Sequence, residues 1–114
     1  MLYLNRSALV VKPKQPFVDW ANSTDPGGTQ YTLQNLKSEN NVYLVSEIDD
    51  KHDLEREIKT YHRIMFENEL IGWATDRTTW PKMISLELFH EWFVIEHNSM
   101  VADLSNGPIE LEEF

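Results

Sequence analysis

From Leu54 to Trp73 the chain carries an apolar pattern that constrains everything around it. Leu54, Ile58, Tyr61 and Met65 recur at intervals of four, three and four, a stripe along one side of a 3.6-residue period. Further on, Ile64, Met65, Phe66, Leu70, Ile71 and Trp73 surround the helix axis. A helix that is amphipathic at its start and apolar all round at its end passes from the surface into deeper burial, or into an interface. Asp49 or Asp50 can cap it, and Asp53 and Glu55 place negative charge in its first turns, where the helix dipole favours it. The spacing predicts a helix over 51–74.

The segments around this helix read as short strands and shorter helices. Leu2 to Val11 is rich in β-formers and is stopped by Lys12-Pro13, which predicts a strand, with an interior position for its C-terminal half. Pro16 suits the first turn of a helix running to Ser23, with Phe17, Trp20 and Ala21 on one face. Thr24-Asp25-Pro26-Gly27-Gly28 ends it, and Thr32 can cap a single turn carrying Leu33 and Leu36. The stretch from the two glycines through Asn41 is the longest irregular one, and long loops are often functional. A second strand is expected over 41–48, a helix over 82–92 and a third strand over 93–104.

The order β-α-β-α-α-β implies an α+β fold, a small two-layer sandwich with helices packed on a three- or four-stranded sheet. The connection between the first two strands is long enough for a parallel crossover. With 114 residues, 41% of them hydrophobic, the chain supports one core. Residues 1–108 are expected to form one domain, and 109–114 an acidic tail or a short edge strand.

Charge and composition remove several functions. The net charge is −9, unevenly spread. Residues 1–40 hold Arg6, Lys12, Lys14 and Lys37 against Asp19, Asp25 and Glu39, a net of +1. The remainder holds six basic and sixteen acidic residues, a net of −10. Such a surface repels nucleic acid and anionic membranes, and leaves a basic protein partner, a cation or simple solubility as its use. No apolar run approaches the ~20 residues of a membrane span, and the opening residues do not read as a signal peptide. The expected location is cytoplasmic. The absence of cysteine removes disulfides, thiolate metal sites and cysteine nucleophiles.

The late strand carries the most unusual chemistry. Glu96-His97-Asn98-Ser99 sets four polar residues inside an apolar run. Alternation places Glu96 and Asn98 on one face, and His97, Ser99 and Asp103 on the other. Asn5 and Arg6 interrupt the first strand in the same way. If the two strands are neighbours, Arg6 can meet Glu96, or Asn5 can meet His97, in a polar pocket on the sheet. Arg6, Asn5 and Glu96 are then the binding candidates, and His97, Ser99 and Asp103 the catalytic ones, by general acid–base chemistry. No motif for a bound metal, nucleotide or other cofactor is present. Trp73 and Trp80 bracket a polar linker beside the apolar helix end, so Trp73, Trp80, Phe66 and Leu70 are the candidate partner surface, including for self-association.

The leading expectation is a small acidic, soluble binding or interaction domain, without catalysis. A second reading is a small-molecule-binding protein or enzyme with its pocket around Arg6 and His97. A third is an acidic inhibitor of a basic partner.

Overall fold

The computed structural model describes residues 1–37 and 39–113. Its elements are β1 (Leu2–Tyr3), β2 (Ser7–Pro13), α1 (Gln15–Ser23), α2 (Leu33–Leu36), β3 (Asn41–Val45), α3 (Lys51–Ile71), a 3-10 turn (Arg77–Thr79), α4 (Leu86–Trp92), β4 (Phe93–Asn98) and β5 (Ala102–Asp103). Helices cover one face of an antiparallel sheet ordered β3-β2-β4, and β1 pairs with β5 in a separate ribbon. The fold is α+β, with β2 interior as its apolar run demands.

Local signals fix the helix starts. Proline stands in the first turn of α1. Thr32 and Asn35 close a reciprocal capping box on α2. Asp50 accepts from the Asp53 amide at 2.8 Å and starts α3. Ser85 accepts from Leu88 at 3.0 Å and starts α4 four residues closer to Trp92 than the sequence pattern suggests.

Two expectations about the sheet are corrected. The first connection is not a parallel crossover, because β2 and β3 run antiparallel, with Val11 opposite Asn41 and Ser7 opposite Val45. The chain therefore re-enters the sheet at the end of β2 it has just left. The two longest expected strands are each broken. Tyr3 faces Ala102, whereas Ala8 faces Asn98, so the N-terminal side advances one residue further between these pairs. One surplus residue on one side is a β-bulge, which bends the ribbon away from the sheet.

The core lies between β2 and the helices. Leu9 and Val11 meet Phe17 of α1, Met65, Phe66 and Leu70 of α3, Phe89 of α4, and Phe93. The ring of Phe66 stands 5.1 Å from that of Phe93 and 5.3 Å from that of Trp92. Ser7 is also buried, and its Oγ accepts from the Ile48 amide at 2.9 Å, tying β2 to the entry of α3. The opposite face of the sheet leaves Val42, Leu44 and Val94 exposed, beside a Lys12–Glu96 ion pair at 2.5 Å.

The apolar end of α3 is covered in part, with Met65, Phe66 and Leu70 buried while Ile64 and Ile71 stay exposed. The segment after it folds back, with Trp80 Nε1 donating to the Ala74 carbonyl at 2.9 Å and Trp20 Nε1 to that of Thr79 at 2.8 Å. Phe66, Leu70 and Trp80 are thereby buried, so they are core residues and not the partner surface expected from the sequence. Trp73 remains accessible, edge-on to Tyr31 at 5.1 Å. Residues 104–113 carry neither helix nor strand, so the edge-strand option for the tail falls away up to Glu113; Phe114 lies outside the described residues. Among the described residues no helix is long and apolar enough to cross a membrane.

Candidate functional site

The pocket expected around Arg6 and His97 does not form. The strands that carry them are neighbours, but Glu96 faces Val10 and His97 faces Leu9. Arg6 lies in the bulge outside this register, exposed, with Nη1 donating to the Asn5 carbonyl at 2.8 Å. Glu96 occupies the outer face of the sheet with Lys12. His97 shares the inner face with Leu9 and has its Nε2 buried, with no hydrogen-bond partner among the described residues. Ser99 is exposed beyond the end of β4, and Asp103 accepts from the Ser105 amide at 2.9 Å in a local turn. Alternation and the bulge send the six candidates in different directions. Among the described residues no three His, Asp or Glu side chains converge as a metal shell.

A different polar site is assembled where β3 begins and α3 ends. Asn41 and Tyr43 are two residues apart on β3, so their side chains share the face turned toward the helices. Tyr43 sits opposite Leu9, which carries its ring toward the core and its hydroxyl toward the rim. On α3, Glu69 follows Met65 by four residues and Phe66 by three, at the margin of the buried stripe. The two elements meet there. Tyr43 Oη donates to Glu69 Oε2 at 2.5 Å, and Asn41 Nδ2 donates to the same oxygen at 2.7 Å. Asn68 Nδ2 donates to Tyr43 Oη at 2.9 Å. Among the described residues Oε1 of Glu69 meets no donor.

Burial dominates the protonation of this group. Desolvation raises the Glu69 carboxyl above the ordinary glutamate range, and the donors Tyr43 and Asn41 pull it part of the way back. Burial also raises the Tyr43 phenol, and its bond to the carboxylate raises it further, so it stays protonated at neutral pH.

Glu69 and Asn41 line a cleft of about 270 Å³. Phe17, Leu36 and Trp73 supply apolar walls, and Glu39 adds a second carboxylate. Asn40 also lines it, with its Oδ1 buried and without a hydrogen-bond partner among the described residues. None of the residues lining the cleft is basic. The arrangement offers acceptors and aromatic surface, and so suits a small group that brings hydrogen-bond donors and positive charge.

Sequence reasoning passed over Glu69, Tyr43 and Asn41. The one signal near them was the long irregular stretch ending at Asn41, of which Asn35, Leu36, Glu39 and Asn40 line the cleft. No family model, no curated protein and no solved structure matches this chain.

Proposed function

We propose that this chain is a small acidic binding domain that receives a lysine or arginine side chain of a basic protein partner in the Glu69 cleft. The observation that carries the reading is a half-buried carboxylate with no basic side chain among the described residues lining its cleft, which aromatic rings and a second acid complete. Removing a carboxylate from water is unfavourable unless it is paired, and an incoming cation supplies the pair. The cleft volume, about 270 Å³, lies just under the range of drug-sized sites and matches a single side chain better than a cofactor. The net charge of −9 would attract a basic partner at long range. A cytoplasmic, soluble setting belongs to the same reading, since a chain without cysteine has no disulfide to lose there.

The test is a titration with N-acetyl-lysine methylamide, against the uncharged norleucine analogue. Trp73 fluorescence and the backbone amide signals of Asn40, Asn41 and Trp73 are followed. The lysine probe should saturate with a dissociation constant of about 1 mM, the affinity of a single anchoring group. Glu69→Gln should weaken it about tenfold, the loss of one charge-assisted contact. Equal binding of the norleucine analogue, or no saturable change at the cleft, would overturn the reading.

A further inference from the structure

On the other side of α2 from the Glu69 cleft lies a groove of opposite character. Lys12, Lys14 and Lys37 stand around it, and Pro13, Leu33 and Val94 give it an apolar lining, enclosing about 370 Å³. Three of the four basic residues in the first forty thus meet at one place, in a chain whose remainder carries −10. A cationic groove with an apolar floor fits an extended segment that alternates apolar and acidic side chains.

This chain contains such a segment. Ile109, Glu110, Leu111, Glu112 and Glu113 alternate in that way. In the structure they lie in no helix or strand, and Leu111 is 96% exposed and Ile109 60%. An apolar side chain left in water at this level gains from any surface that covers it. The tail leaves from β5, beyond the Ser7 and Asn98 end of the sheet, whereas the groove sits at the Pro13 and Phe93 end. The radius of gyration, 15.7 Å, exceeds the about 13 Å expected for a compact chain of this length, in keeping with an arm held away from the body.

We infer that the 109–113 tail of one copy docks in the lysine groove of a second copy. Ile109 and Leu111 lie against Val94, Leu33 and Pro13, and Glu110 and Glu112 meet the Lys37 ammonium and compete with Glu96 for Lys12 and with the His90 carbonyl for Lys14. Two copies exchanging tails satisfy both grooves at once and close the assembly with two-fold symmetry. The contact pairs the acidic end of one chain with the basic patch of the other, so two molecules of like net charge can still associate. This groove adjoins the Glu69 cleft at Pro13 but takes a different occupant through different side chains, so its failure leaves that reading untouched.

The test is sedimentation equilibrium of the full chain over a concentration series, at low and high salt. A dimer that weakens with salt is expected. Leu111→Asp should weaken it at least about tenfold, the effect of losing an interface anchor. The side chain is exposed in the monomer, and unchanged circular dichroism would show that the fold is intact. Lys37→Glu and Glu112→Lys should each weaken the dimer, and the double swap should recover most of the loss. A monomer at every concentration, or a dimer indifferent to Leu111→Asp, overturns the proposal. So does a tail protected from protease in the monomer, because its occupant would then be its own chain.

Discussion

Tyr43→Phe removes one hydroxyl and leaves the ring in place, so it isolates the bond that holds Glu69 beside the cleft. Two contacts are lost: the 2.5 Å donation to Glu69 Oε2 and the 2.9 Å acceptance from Asn68. Asn68 is exposed and its amide can turn to water, so that loss is small. The bond to Glu69 is charge-assisted while the carboxylate is ionised. Such bonds contribute about 1.5–3 kcal/mol, and partial solvent access at the rim puts this one near 1.5–2 kcal/mol. The pH dependence follows from the Glu69 shift. Its folded-state value is raised, so stability is greatest below the unfolded glutamate value and falls as pH rises through the folded one. Removing the Tyr43 donor raises the folded value further, so the variant pays this penalty over a wider window. The cost of Tyr43→Phe should therefore be about 1 kcal/mol at pH 4, where a neutral bond is lost, and the full amount at pH 7. Urea unfolding followed by tryptophan fluorescence at both pH values measures it. A double-mutant cycle with Glu69→Gln should return a coupling of about 1–2 kcal/mol at pH 7. A cost that is the same at both pH values, together with a coupling under about 0.5 kcal/mol, would refute the account of this carboxylate as a buried anion held by its donors.

Other substitutions test the frame around the cleft. Phe66→Ala should cost about 3–5 kcal/mol, a large part of the stability of a small domain, read as a fall in the urea midpoint without a change in slope. Ser7→Ala strands the buried Ile48 amide and should cost about 1–3 kcal/mol, with faster hydrogen exchange at Ile48. Lys12→Met should change stability by less than about 1 kcal/mol in the same assay, because both partners of its ion pair are 40% or more exposed.

How much of this was legible in the sequence depended on how local the signal was. Pro16, Thr32 and Asp50 announce helix starts through contacts within three residues, and all three helices begin beside them. The strand at Asn41 follows from its β-branched and aromatic content. Register is not local. The pairing of β2 with β4 sets Glu96 opposite Val10, four residues along the chain from Arg6, and nothing in the residue types marks that register. The partner surface failed for a related reason. A helix end that is apolar all round must be covered, but the sequence cannot say by what. Here Trp80 turns back on the linker and the same chain covers the Phe66 and Leu70 side, leaving Ile64 and Ile71 exposed. The Glu69 cleft needs β3 to cross the end of α3, bringing Tyr43 and Glu69 together across 26 residues of chain. His62, on the same helix, packs against Phe89 and bonds the Lys59 carbonyl, away from the cleft.

The two uses of a buried carboxylate can be separated by what its neutral replacement does. If Glu69 served only to join β3 to α3, glutamine would serve at least as well at neutral pH. Its side-chain oxygen still accepts from Tyr43 and Asn41, and it carries no charge for burial to oppose. Keeping the acid then costs stability over the window set by its raised pKa. A group that costs stability in the free domain is offset only by something that meets its charge, and the cleft holds no basic side chain to do so. Glu69→Gln should accordingly move two quantities in opposite directions, with stability at neutral pH rising while affinity for the lysine probe falls. A structural joint would leave binding of the probe unchanged whatever happened to stability, so the affinity of this one variant tells a strut from a binding site.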